Sequence, residues 1–278
     1  MRDSERKALR YKIENLSNLP TIPGVLKRII RLIENPKTSL SDIGAFVTKD
    51  PALTTKILKM VNSPLYGFPG RISSVNQALV LLGLNVTKGL LLGVSVFELM
   101  QKAMTGLWEH SLACAICSRI IAQDMGMKDP EEVSCAGLLH DLGKVAIALE
   151  IPGIYQNYME EAKEKRLPLY QIEDEHLSFT HAHAGGWVTR KWNFPKSLID
   201  VIEFHHKPQL SKVAPDHSNV VHIADILVRA RGLGFAGDYV VPPVNPKAWE
   251  RLGLSEERVV NILSRMEEDM AESEGVFD

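Results

Sequence analysis

Apolar residues recur along this chain at helical spacing, and no stretch alternates with the period of two that a half-buried strand shows. Residues 1–17 read as a charged amphipathic helix. Leu19-Pro20-Thr21-Ile22-Pro23 reads as an extended turn, because each proline biases its predecessor away from helix. A helix is predicted from Gly24 to about Ile33, where Val25, Ile29 and Ile33 repeat every four residues. Ser39 and Asp42 mark the start of a short helix ending before Asp50-Pro51. Asp50 is then the expected N-cap, with Pro51 in the first turn, of a helix to Val61. Asn62-Ser63-Pro64 breaks that helix, and Tyr66-Gly67-Phe68-Pro69-Gly70 follows as an aromatic loop. Ser73 or Ser74 caps a helix carrying Val75, Leu79 and Leu82, and Gly83-Leu84-Asn85 turns into another that runs through Met100.

A break over Ala103–Gly106 divides the chain into an N-terminal helical part, residues 1–105, and a second part, residues 106–278. Helices are predicted there around 107–125, 131–148, 152–165, 179–192, 195–206, 217–231 and 255–273. Lys128-Asp129-Pro130, Leu167-Pro168 and Val241-Pro242-Pro243 mark loops. The expected fold class is all-α, with no internal repeat of fixed period.

Composition narrows the function classes. The chain has 278 residues, 45% apolar and 24% charged, enough to bury a sizeable core. Lys+Arg is 32 against Asp+Glu at 34, so no global field draws the protein to nucleic acid or to a membrane surface. The most apolar window, Ala78 to Met100, is interrupted by Asn85, Thr87, Lys88 and several glycines, and reads as two buried helices rather than a membrane span. The N-terminal MRDSERKALRYKIENL is charged and lacks the apolar region of a signal peptide. Cys114, Cys117 and Cys135 form an odd set without a framework of spacings, which suits a reducing compartment. A cytoplasmic protein is expected. Cys114 and Cys117 form a CxxC, but within the helical LACAICSRIIA and with no second CxxC they read as core.

The candidate chemistry lies in Cys135 to Ile147, CAGLLHDLGKVAI, where an apolar run carries His140-Asp141 into what should be core. Buried His and Asp are costly unless partnered. Gly143 leaves room beside them, and Lys144 adds a cation one turn later. Other histidines follow in order: His110 on a helix after Trp108, His181 four residues before Gly185, and His205-His206 at the end of an apolar helix. Asp225 sits on a helix with His222 one turn earlier. Imidazole nitrogen with carboxylate oxygen suits borderline metals. An aspartate can bridge two such ions, and a pair of ions can activate water and clamp a phosphoryl group. Lys144 is placed to offset phosphate charge. Taken singly, a histidine on an apolar helix reads more often as a satisfied core residue than as a ligand, and His205-His206 could be a cationic helix cap. His183 lies about 200° around the helix from His181 and is left out of the set. His176 and His217 read as surface, and His222 as either a supporting residue or core.

The ordered set His110, His140-Asp141, His181, His205-His206 and Asp225 resembles the HD superfamily of metal-dependent phosphohydrolases. The N-terminal half adds Leu19-Pro20-Thr21-Ile22-Pro23, Lys49-Asp50-Pro51-Ala52-Leu53, Asn62-Ser63-Pro64 and Ser73-Ser74-Val75-Asn76-Gln77-Ala78, then Leu82-Gly83-Leu84. With Thr180-His181-Ala182, Gly185, Trp192, Pro195 and His205-His206-Lys207-Pro208, the chain is identified as a member of the HDOD family over roughly residues 15 to 235. The resemblance implies an HD-domain-like helical bundle preceded by an N-terminal helical subdomain, in a bacterial signal-transduction module whose partner is a signalling protein or a small phosphorylated ligand. Many HDOD proteins have lost the HD ligands, whereas this chain keeps their full order, as the related HD-GYP phosphodiesterases do. Lys207-Pro208-Gln209-Leu210-Ser211 lacks the GYP signature, however, and Gly106 lacks the carboxylate that HD-GYP members can use for an additional metal. The resemblance thus implies two divalent transition-metal ions, iron first, with manganese or zinc also compatible. Their ligands would be His110, His140, Asp141, His181, His205, His206 and Asp225. If the alternative reading of an active phosphohydrolase holds, Asp141 and Lys144 are the catalytic candidates.

Overall fold

A computed structural model of the chain describes residues 3–15, 23–66 and 72–273. The expected turn over 19–22 and most of the aromatic loop, residues 67–70, lie outside the described residues. Among the described residues every regular element is helical, as the apolar periodicity requires. In chain order they are α1 (Asp3–Glu14), α2 (Gly24–Glu34), α3 (Leu40–Val47), α4 (Pro51–Asn62), α5 (Val75–Ala103), α6 (Leu107–Asp124), α7 (Pro130–Leu139) and α8 (Leu142–Glu150). Then follow α9 (Pro152–Lys165), α10 (Leu169–Leu177), α11 (His181–Lys191), α12 (Lys196–Phe204), α13 (Pro215–Arg231), α14 (Pro246–Arg251) and α15 (Glu256–Ser273), with a single 3-10 turn at Pro208–Leu210.

Local chemistry explains the starts. Ser39 and Asp42 form a reciprocal capping box on α3, Asp50 accepts from the amides of Ala52 and Leu53 at the head of α4, and Ser74 accepts from Gln77 at the head of α5. Within α5 the helix is interrupted at Gly83, whose φ of 73° suits a residue without a Cβ. The two helices expected there meet end to end at this kink. α5 is long and apolar enough to cross a membrane by length and composition, yet 67% of its most apolar window is buried inside the protein.

α5 ties the two parts of the chain together. It packs on α2, α3 and α4 and also on α7, where a Cβ at Gly89 would lie 2.0 Å from Cys135 Sγ. α6 is the central helix of the remainder, flanked by α7, α13 and α15.

Two expectations change. The helix predicted over 131–148 is two, with His140 and Asp141 at the joint between α7 and α8. The joint turns both side chains inward, which a continuous helix, placing neighbours 100° apart, would not do. The helix predicted over 179–192 begins only at His181, because Ser178 ends α10 in the left-handed conformation (φ 60°) and Thr180 caps α11. α10 and the six-residue α14 escaped the periodicity because each is short and begins at a proline-marked turn, at Pro168 and Pro246.

Candidate metal centre

Five separate elements deliver the expected site residues to one buried place. His110 sits in the first turn of α6, and His140 and Asp141 lie at the α7–α8 joint with Lys144 one turn on. His181 opens α11, His205 and His206 follow the last residue of α12, and Asp225 lies mid-way along α13. All are fully buried except His206, which is half-buried. Close helix approach makes this possible: a Cβ on Gly143 would lie 1.9 Å from the carbonyl oxygen of His181, so α8 meets α11 backbone to backbone. Gly185 serves the same crossing from the other side. A Cβ there would strike Ile202 at 2.7 Å rather than the His181 ring, so the room it leaves is for a helix and not for an imidazole.

The centre has two ends joined by Asp141. Asp141 Oδ2 lies 3.3 Å from His140 Nε2 and 3.7 Å from His110 Nε2, while Asp225 Oδ1 lies 3.0 Å from His110 Nε2. At the other end Asp141 Oδ1 lies 3.2 Å from His181 Nε2 and 3.9 Å from His205 Nε2. There His206 Nε2 is 3.0 Å from His205 Nε2 and 2.8 Å from His181 Nε2. Three rings are held from behind. Nδ1 of His140 donates to Gly137 O, that of His205 to Ile202 O, and that of His181 to the Glu173 carboxylate, at 2.7–2.8 Å. Such a bond fixes the ring orientation and turns Nε2 toward the centre.

Glu173, Arg229 and Asp238, which the sequence pattern did not single out, complete the arrangement together with Lys144, which it did. Glu173, fully buried on α10, also accepts from the His181 amide and from the Tyr155 hydroxyl. Arg229 donates from Nε to Asp225 Oδ1 at 2.6 Å and pairs with Asp238. Lys144 donates to Asp141 Oδ2 at 2.8 Å and to Ala236 O at 2.7 Å. Cys114, read from sequence as plain core, lies one turn after His110 with its sulfur 3.5 Å from His110 Nε2. Signals existed for two of these. Glu173 interrupts the i, i+4, i+8 row Leu169–Leu177, and Arg229 is four residues from Asp225 on one helix face. Asp238 lies in a glycine-rich loop with no periodicity to read.

That loop closes the centre. The amide of Phe235 donates to Gly106 O at 2.9 Å, Asp238 accepts from the Leu169 amide at 2.5 Å, and a Cβ at Gly234 would lie 2.2 Å from the His110 nitrogen. His222 extends the support outward: its Nδ1 donates to His205 O and its Nε2 accepts from the Asn245 amide. His183 caps α11 by accepting from Thr180, and His176 pairs with Glu161 and stacks on Tyr158. His217 is half-buried at the start of α13, so these three stay outside the centre.

Electrostatics follow the two ends. Burial pushes the His110 pKa down to about 4 despite Asp225 beside it, and drives His205 and His206 well below the usual imidazole value. Burial acts the same way on His140, but Asp141 and Asp225 outweigh it and raise that ring to about 9. Asp141 and Asp225 are held well below the carboxylate range, against the effect of burial, by His140 with Lys144 and by Arg229 with His110.

His140 Nε2 and Asp141 Oδ1 are buried without a hydrogen-bond partner. Such orphans cost free energy unless something binds them. Together with the converging Nε2 atoms they form the donor set of a divalent-metal site, and the residues present fit that group.

A family model, the HDOD domain, matches residues 19–208. The chain belongs to the HDOD family. Asp225, Arg229 and Asp238 lie beyond the matched stretch. An uncharacterized protein of Treponema pallidum (strain Nichols) is 30% identical over 215 residues, 72% of this chain and 42% of that one, so the chain spans less than half the length of this curated relative. An HDOD domain protein of unknown function from Geobacter sulfurreducens superposes with a TM-score of 0.73 at 26% identity, over 99% of both chains. A Shewanella amazonensis protein whose name carries a provisional phosphohydrolase assignment shares the fold at TM-score 0.68 and 18% identity, over 98% of both chains.

Proposed function

We propose that this chain is a cytoplasmic bacterial signal-transduction module whose state is set by divalent-metal occupancy of its buried His/Asp centre. Its output would be a surface read by a signalling protein, or a response to a small phosphorylated ligand. The ligand residues are His110, His140, Asp141, His181, His205, His206 and Asp225, used in whole or in part. The observation that carries this reading is the closure of the centre: the segment from Phe235 to Asp238 is bonded over it, and both donors that could meet a phosphate are engaged. Lys144 is held by Asp141 and Ala236 O, and Arg229 by Asp225 and Asp238. A hydrolase needs a coordination position that its substrate can reach.

Metal occupancy would be felt through the fold because the donors come from α6, α7–α8, α11, α12 and α13 together. A bound ion supplies positive charge and a Lewis acid at the centre. Glu173, Gly137 O and Ile202 O keep three imidazoles aimed at it, and Lys144 holds Asp141 in place. Iron is the first expectation, with manganese and zinc compatible.

A second reading, a metal-dependent phosphohydrolase with Asp141 and Lys144 at the reacting centre, is favoured by one observation. Asp141 presents one oxygen to each group of histidines. It requires the 235–238 segment to withdraw.

The test is direct. Anaerobically purified protein is expected to carry transition metal by elemental analysis, to lose it on Asp141→Ala, and to melt at lower temperature after chelation. It is expected to stay silent toward bis-p-nitrophenyl phosphate, cyclic dinucleotides and nucleotides with added manganese or iron. Less than about half an equivalent of metal would count against the centre, and turnover of any of these substrates would favour the phosphohydrolase.

A further inference from the structure

The two ends of the centre differ in what already balances their charge. At the His110 end each carboxylate oxygen facing the imidazoles carries a protein cation. Arg229 Nε sits 2.6 Å from Asp225 Oδ1, and Lys144 Nζ sits 2.8 Å from Asp141 Oδ2. A metal ion there would lie beside a fixed guanidinium and a fixed ammonium, and like charges at such range in a dry interior repel strongly. At the other end, among the described residues, no lysine or arginine pairs with Asp141 Oδ1. Asp141 Oδ1 has no hydrogen-bond partner, and three imidazole nitrogens face one another at 2.8–3.0 Å. The Nδ1–H bonds to Glu173 and Ile202 O leave lone pairs on the Nε2 atoms of His181 and His205.

We propose that the centre binds one divalent ion, held by His181, His205, His206 and Asp141 Oδ1, and that Arg229 and Lys144 stand in the place of a second ion at the His110–Asp225 end. Three imidazoles and one carboxylate make a four-donor set suited to zinc or to tetrahedral cobalt. His206, the one donor that is half-buried, lies where the ion can enter, with Tyr170 tilted against its ring. The inference rests on the metal-centre reading above and replaces the expectation of two ions.

Apo protein dialysed against cobalt(II) chloride is expected to retain about one equivalent and to show no thiolate-to-cobalt charge-transfer absorption, because Cys114 belongs to the His110 end. His206→Ala and His181→Ala should each lose the ion, whereas His110→Ala, checked for helicity by circular dichroism, should keep it. Two equivalents in the wild-type protein, or a thiolate-to-cobalt band, would overturn the single-ion assignment and leave the metal centre standing. Loss of cobalt in His110→Ala with helicity intact and retention in His206→Ala would overturn it too. No cobalt bound by wild-type protein would overturn both.

Discussion

His110 and His140 stand about 5 Å apart, ring to ring, yet their environments push them in opposite directions. His110 is neutral in the folded chain, with its pKa depressed to about 4, so below pH 6.5 the unfolded chain takes up a proton that the folded one refuses. His205 and His206 act the same way. For His110, stability is therefore lost as pH falls from 6.5 toward 4, by about 1.4 kcal/mol per pH unit, and His205 and His206 add loss in the same direction. His140 has the opposite sign. Its folded pKa of about 9 lies above the unfolded value, so its contribution is complete below pH 6.5 and disappears as pH rises through 9. The metal-free protein is expected to be most stable near pH 6.5–7.5, and thermal melts from pH 4.5 to 10 after chelation check this. A melting temperature flat across that range would contradict the buried, oppositely shifted pair. The residue types were legible in sequence, since an apolar run carrying His140-Asp141 announces a costly burial. Of their neighbours, Glu173 and Arg229 left only an interrupted apolar row and an i, i+4 partner of Asp225, and Asp238 left nothing, because it lies in an aperiodic loop and meets the centre only through packing.

At the level of helices, the decisive feature is how closely they approach. α8 and α11 cross where Gly143 faces the His181 carbonyl, and backbone cannot yield as a flexible side chain can. Gly143→Ala is expected to force the two helices apart, to cost roughly 1–3 kcal/mol from overpacking, and to displace His181 from Asp141. Urea denaturation together with bound metal measured on the folded variant would check both; wild-type metal content in Gly143→Ala would show that the crossing does not set the site. Helix existence followed from the 3.6-residue rhythm, and the caps of α3, α4 and α5 from Ser39, Asp50 and Ser74. The split between α7 and α8 did not, because the apolar run continues through it and periodicity alone favours one helix.

Across the whole molecule, the segment between α13 and α14 decides how accessible the centre is. Asp238 links Arg229 on α13, Lys144 on α8 and the first amide of α10. Removing one partner from a buried ion network typically costs about 3–5 kcal/mol, and here the loss falls on the closing segment first. Asp238→Ala is expected to speed amide hydrogen exchange over residues 233–240 while α6 and α7 stay protected. Unchanged exchange across that segment would mean that Asp238 does not hold it.

The sequence alone determined the all-α class, the starts of α3, α4 and α5, and the family, because these depend on short-range periodicity, capping and local motifs. It also identified which histidines and aspartates could share a site. Which oxygen faces which imidazole, which carboxylates already carry a cation, and whether solvent reaches the centre were decided only by tertiary structure. Those properties depend on ångström-scale distances between segments up to a hundred or more residues apart in the chain, and such distances exist only once the helices have packed.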